Sequence, residues 1–278
     1  MSKKIGLALG GGAARGFAHI GVLKVLEKNG IKIDFVSGTS IGSVIGALYC
    51  AGYSPEEMEK LAKSIKWKSL IDLSVPRSGL LKGDKIEKYI REKIENKKFS
   101  ELNKKLFLTA VDINENKEVI FNKGDVARAV RASISIPGVF NPISMNKNIL
   151  VDGGVLDPLP TDILKKQKAD IIIGINLNHV NEKQVSLETS KSDKKSNLPS
   201  ITKSIIKSIQ LMQEDLTIKN LRLEQGNIII SPDLKKINYY DFHKVDDLIK
   251  AGEDATKKEI NKIKKLQSRS FFKRFLKK

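Results

Sequence analysis

The order of elements along this 278-residue chain predicts an α/β fold with a mostly parallel central sheet flanked by helices. Three observations carry that expectation. Short apolar runs of strand character alternate with longer segments whose apolar residues recur at helical spacing. The run 169–177, ADIIIGINL, is apolar at nearly every position, as a central strand buried on both faces should be. Glycine-rich turns, GGGAARG and GTSIG, stand where the first two strands give way to helices.

Residues 4–9 read as a short buried strand that ends in GGGAARG, and a helix over about 16–29 follows until Gly30 stops it. Two lysines before an apolar run loosely mimic a secretory leader, but that run is short and breaks into glycines, so a first strand is expected. IKIDFVS is a second strand with alternating apolar positions, and SIGSVIGALYCAG is a helix ending at Gly52. SPEEMEKLAKSI opens with a Ser cap, Pro at the first helical position and acids in the first turn. GDKIEKYIREKI is a further helix. KLFLTAVDI and KEVIFN read as strands paired through the turn NEN. DVARAVRASISI is a helix ended by Pro137-Gly138, and NILVDGG is a short strand and turn. Residues 181–200 are polar and Ser/Lys-rich, and a mobile loop is expected there. A long amphipathic helix follows, with Ile201, Ile205, Ile209, Met212 and Leu216 on one face. NIIISP is one more strand and FHKVDDLIKAGEDATKKEI one more helix. The expected organisation is a core over 1–180, the polar loop 181–200, a helical part over 201–256 that completes the fold, and a basic tail over 257–278.

The bulk composition is that of an ordinary globular chain, 40% hydrophobic and 6% aromatic. A single cysteine, Cys50, rules out an intramolecular disulfide and favours a reducing compartment; its apolar surroundings predict a packing role. No stretch approaches the roughly 20 apolar residues of a membrane span. The net charge is +18, and half of that excess lies in residues 257–278, which hold ten Lys or Arg against one Glu. So local a charge suggests an anionic partner at the tail and not a uniformly basic nucleic-acid-binding body. Ile260, Ile263 and Leu266, followed by Phe271, Phe272, Phe275 and Leu276, recur among those cations. A helix of that pattern suits an anionic lipid surface, and a solvated basic terminus docked on the body is the alternative.

Gly38-Thr39-Ser40-Ile41-Gly42 has the spacing of a serine nucleophile on a sharp strand-to-helix turn. The turn places the hydroxyl at the carboxyl end of a strand and the N-terminus of a helix, whose dipole favours developing negative charge. A plain Gly/Ser turn before a helix is the competing reading. Gly10, Gly11 and Gly12 lead into another helix, and their N–H groups suit either a phosphate or an oxyanion. The strict dinucleotide spacing fails, and no Gly-Lys-Ser/Thr is present. Beside an elbow serine the oxyanion reading leads, with Ile41 as a further donor. Of the three histidines, His19 follows the glycine loop, His179 follows the apolar strand where a triad histidine could sit, and His243 adjoins Phe242. None has a supporting motif. Asp152 stands at a strand end before Gly153 and Gly154, which could equally be a simple Asp-Gly turn. The Cys and His counts offer no metal cluster.

In order along the chain, LALGGGAARGFAHIGVL, GTSIG, ASISIPGVFNP and VDGG resemble the motifs of the patatin-like phospholipases, and the likeness covers residues 5 to about 177. The resemblance implies a three-layer fold and a serine acyl hydrolase that cleaves lipid esters with a Ser-Asp dyad and no histidine or cofactor. Ser40 would be the nucleophile and Asp152 its base, with Gly10, Gly11, Gly12 and Ile41 forming the oxyanion hole. Gly38, Gly42, Gly153 and Gly154 would be the motif glycines. Arg15 would order the loop or meet a substrate phosphate. Asp157-Pro158 stands where the family often carries Asn-Asn, which leaves a second carboxylate nearby. A conventional Ser-His-Asp esterase using His179, and a non-catalytic regulatory protein on the same fold, remain as rivals. The expected setting is cytoplasmic, with peripheral contact to anionic membrane through residues 257–278.

Overall fold

The structure is a computed structural model, and it describes residues 3–74, 79–178, 201–223 and 227–275. The elements in chain order are β1 (Ile5–Leu9), α1 (Ala18–Lys28), β2 (Phe35–Gly38), α2 (Ile41–Ala51), α3 (Pro55–Ser64) and α4 (Asp84–Lys93). Next come β3 (Lys105–Asp112), β4 (Lys117–Phe121), α5 (Val126–Ser133), β5 (Ile143–Met145), β6 (Asn148–Asp152) and α6 (Thr161–Lys166). β7 (Ile171–Ile175), α7 (Ile201–Leu223), β8 (Ile228–Ile230) and α8 (Val245–Phe275) complete the order.

Strands β3-β2-β1-β7-β8 run parallel, and the antiparallel strands β4 and β6 both pair with β3, while β5 pairs with β6. The strand order reverses between β1 and β7, so the loop leaving β1 lies at a topological switch point, where open α/β sheets place their ligands, and the loop leaving the parallel neighbour β2 lies beside it. Alternation along the strands separates the two faces. Leu7, Leu9, Val36, Leu108 and Ile173 join a large core with residues of α1, α2, α5 and α8. Ala8, Phe35, Phe107 and Ile172 point the other way, toward Ile163 and Leu164 of α6. The predicted mostly parallel sheet between helical layers is therefore present, with the two layers unequal in size.

α3 begins as its sequence predicts, with Ser54 and Glu57 in a reciprocal capping box and Pro55 at the first helical position. Three expectations need correction. The helix after Asp125 stops at Ser133 instead of running to 136, because the residue before Pro137 is steered out of the α region. α7 buries only part of the face that its apolar spacing marks: Ile209 lines a cavity, whereas Met212 is 56% exposed and Ile205 39%. Ile206, Gln210 and Gln213 turn inward beside Ile209, because this helix lies over a cavity and not on a solid core. The helix expected over 242–260 starts at Val245 and continues unbroken to Phe275. On it Ile263 is fully buried, and Ile260 and Leu266 pack against the core. The apolar positions expected to face lipid are thus spent on tertiary packing, at least through Leu266. The 181–200 loop lies outside the described residues. Cys50 is buried, as expected of a packing residue, and burial pushes its thiol pKa up. Among the described residues no helix is long and apolar enough to cross a membrane.

Candidate active site

Ser40 occupies the junction of β2 and α2 with φ 54 and ψ −124. A non-glycine residue holds such a conformation at a cost of about 1–3 kcal/mol, so its surroundings must impose it. Its N–H donates to Ser133 Oγ at 2.9 Å. Thr39, just before it, shares a 2.8 Å hydrogen bond with the Thr109 hydroxyl and donates to the Asp157 carbonyl at 2.9 Å. Gly42 lets the first turn of α2 lie against the end of β1, since a Cβ there would overlap the Leu9 carbonyl. The serine is thereby held at the switch point, 6% exposed.

Asp152 reaches the same place from the end of β6, paired with Ala110 of β3. Its N–H donates to the Ser135 carbonyl at 2.9 Å, and its Oδ1 accepts the Gly154 N–H at 2.8 Å. The glycine after it is needed for packing, because a Cβ on Gly153 would overlap the Thr109 hydroxyl. Burial pushes the Asp152 carboxyl up to about 6, and the opposing pulls come from the Ser40 hydroxyl and the Gly154 N–H. Oδ2 is buried without a well-directed hydrogen bond. The hydroxyl able to supply one by rotation is that of Ser40, which already acts on this carboxyl.

The glycine loop is fixed from both sides. Gly10 N–H donates to the Ile175 carbonyl at 3.2 Å and Gly11 N–H to the Pro158 carbonyl at 3.0 Å. This corrects the expected set of oxyanion donors: an N–H already committed to a carbonyl is not open to a substrate oxygen. Neither Gly12 nor Ile41 gives its N–H to a backbone carbonyl among the described residues. His19 Nε2 lies 2.8 Å from the Gly10 carbonyl, and burial lowers the ring's pKa to about 4, so a neutral imidazole donates there. Arg15 donates to the carbonyls of Ile237 at 3.0 Å and Leu177 at 3.3 Å, and stacks 4.1 Å over the Tyr239 ring. Of its two expected roles, ordering the loop is the one these contacts perform.

Ser40, Asp152, Gly12 and Ala13 open on one cavity of about 390 Å³. Its walls are apolar, with Leu81 and Ile86 from one side, Ile136 and Phe140 from another, and Ile206 and Ile209 from α7. Asp157 does not line it; that carboxylate belongs to a separate cavity of about 290 Å³ with Glu118 and Asp162. His243 is exposed before α8, and His179 lies outside the described residues. Among the described residues no group of three His, Cys, Asp or Glu could hold a metal ion. Sequence reasoning missed the parts played by Ser133 and Thr109 and most of the cavity wall. Ser133, Ile136 and Phe140 fall in ASISIPGVFNP, a segment noticed without a role, and the other wall residues come from distant stretches that carry no shared pattern.

Residues 7–165 match the model of the patatin-like phospholipase family. An uncharacterized NTE family protein of Mycobacterium tuberculosis is 37% identical over 180 residues, 64% of this chain and 50% of that one. Lysophospholipase NTE1 of Yarrowia lipolytica is 34% identical over 184 residues, 64% of this chain and 13% of that one. The chain thus spans half or less of the length of these curated relatives. Among solved structures, VipD from Legionella pneumophila superposes with a TM-score of 0.64 at 13% identity, covering 94% of this chain and 67% of that one. At such identity the likeness speaks for the fold alone.

Proposed function

This chain belongs to the patatin-like phospholipase family, and from that premise we propose that it is a serine acyl hydrolase acting on lipid esters through Ser40 and Asp152. The observation that carries the reading is the buried Asp152 carboxyl beside the strained Ser40 at the head of an apolar cavity. Ser40 Oγ attacks the ester carbonyl while Asp152 takes its proton. The carbonyl oxygen becomes an oxyanion, and the N–H groups of Gly12 and Ile41 donate to it. As the tetrahedral intermediate collapses, the carbon–oxygen bond to the alcohol breaks and Asp152 returns the proton to that alcohol. Water then attacks the acyl carbon as Asp152 takes its proton, the bond from that carbon to Ser40 Oγ breaks, and Asp152 passes the proton to Oγ, which frees the carboxylic acid and restores the serine. A base with pKa about 6 suits this cycle. It is largely ionised at neutral pH, yet closer to the operating pH than an ordinary carboxylate.

The cavity sits at the small end of the range for ligand pockets, which favours one acyl chain over two. Relatives named lysophospholipase point the same way, so single-chain phospholipids are the first substrates to try. Purified protein should release free fatty acid from a lysophospholipid, and Ser40→Ala should lose that release by at least about a thousandfold while keeping its circular dichroism. Undiminished release by a clean Ser40→Ala preparation would refute the assignment.

A further inference from the structure

The rim of the catalytic cavity carries large apolar side chains that face solvent. Leu73 is 77% exposed, Tyr240 58% and Met212 56%, joined by Ile71, Leu80 and Ile205. These residues form one surface. Ile71 and Tyr240 themselves line the cavity. Leu73 pairs with Leu81, and the N–H groups of Leu80 and Leu81 both donate to the Val139 carbonyl. Ile205 lies beside Gly138, where an added Cβ would be 3.5 Å from its side chain. α7 is therefore apolar on two sides: Ile206 and Ile209 look into the cavity, Ile205 and Met212 away from it.

Cations border this surface. Lys85 Nζ donates to the Ile71 carbonyl at 3.0 Å. Lys82 adjoins Leu81 and Lys207 adjoins Ile206. None of the three forms an ion pair with a described residue, and the Asp72 carboxylate between Ile71 and Leu73 is taken up by the backbone N–H groups of Gly83 at 2.8 Å and Lys85 at 2.9 Å. We propose that this rim is the face by which the protein docks on an anionic lipid bilayer, with the apolar side chains entering the interface and Lys82, Lys85 and Lys207 meeting anionic headgroups. The choice of a bilayer rests on the lipid-ester reading above and on charge. A second copy of this face would bring its own Lys82, Lys85 and Lys207 to the same contact, cations facing cations. A bilayer supplies both an apolar layer and a negative surface. Docked this way, the cavity opens directly onto the acyl chains.

The basic tail cannot share this orientation. Lys3, ahead of β1, donates through Nζ to the Leu266 carbonyl of α8 at 2.5 Å. Leu266 therefore lies at the amino end of β1, whereas Ser40 follows the carboxyl end of the parallel strand β2. Attachment through the tail would turn the cavity mouth away from the membrane.

The chain's one tryptophan, Trp67, opens the turn Trp67–Leu70 that leads into the rim, and it reports which end touches lipid. Full-length Ser40→Ala protein, chosen so that turnover cannot alter the lipid, is mixed with phosphatidylglycerol vesicles that contain brominated lipid. Sedimentation with the vesicles and quenching of Trp67 are expected together. Leu73→Asp combined with Met212→Asp should weaken vesicle binding by about tenfold or more and abolish the quenching. In the Ser40 background these two changes should leave hydrolysis of a water-soluble ester within about twofold, since neither side chain lines the cavity. Lys264→Gln with Lys265→Gln should bind as the parent does. Sedimentation without Trp67 quenching, undiminished binding by the double Asp variant, or no binding by the parent would each overturn the proposal. So would a concentration-dependent dimer in solution that the double Asp variant dissolves. Binding is read without catalysis, so a failure of the hydrolase assignment would appear separately, as inactivity of the wild-type protein on esters.

Discussion

Burial holds the Asp152 carboxyl near pKa 6, well above the usual aspartate value of about 3.9. Its proton is thus bound more tightly in the folded chain than in the unfolded one. Folding stability therefore falls as pH rises from about 4 to about 6, and the full cost stands above that window. At about 1.4 kcal/mol per unit, an ionised Asp152 costs the fold about 3 kcal/mol. Two outcomes follow at this residue. The kcat/KM for a soluble ester should rise with pH through an apparent pKa of about 6, as the base ionises. Asp152→Asn should lose activity yet resist urea better than the wild type at about pH 8, with the advantage gone near pH 4; equal stability at both values would contradict the burial argument. Ser40 and Asp152 were each legible from a glycine spacing, but their partnership was not. A residue just after β2 and one at the end of β6, separated by the length of the core, meet only because both strands flank β3. The residue chemistry alone left His179 as a competing base, and only the family resemblance favoured Asp152. The committed N–H groups of Gly10 and Gly11 were equally invisible, since their acceptors, Ile175 and Pro158, lie far along the chain.

Among the elements, those that announce themselves locally were read well. The capping box opens α3, Gly52 closes α2 with φ 114, and the continuous apolar run forms β7 between β1 and β8. Short elements defined by their neighbours were not, and neither β5 nor the six-residue α6 carries a periodicity long enough to see. α8 shows a second limit. Its regular apolar spacing fits a lipid surface and a protein surface equally, and the structure gives Ile260, Ile263 and Leu266 to the core. Its closest contact with α1 passes through two glycines. A Cβ on Gly252 would overlap the Ala18 carbonyl, and one on Gly21 would overlap that of Ile249. Gly252→Ala should therefore lower the unfolding free energy by about 1–3 kcal/mol, the usual cost of overpacking, even though alanine is the better helix former. A more stable Gly252→Ala protein in urea titration would show that the two helices do not approach this closely.

At the scale of the molecule, the parallel pairing of β1 with β2 brings the glycine loop and the elbow serine together, and β3 brings Asp152 to them. The apolar cavity lies beyond the carboxyl ends of the strands, and α7 and the segments around Leu81 and Phe140 wall it. Helix α8 carries the basic tail toward the other end of the sheet. Fold class was legible because alternation of strands and helices is a property of the whole chain; the cavity was not, because it is made where distant segments converge. The central claim is that Ser40 is activated by Asp152 without a histidine. Its most direct test is to treat wild-type, Asp152→Asn and His179→Ala proteins with a fluorophosphonate and to map the adduct by mass spectrometry. Rapid labelling of Ser40 is expected in the wild type and in His179→Ala, with labelling slowed by at least about a hundredfold in Asp152→Asn. A folded His179→Ala protein that fails to label, or an adduct on a residue other than Ser40, would contradict that claim.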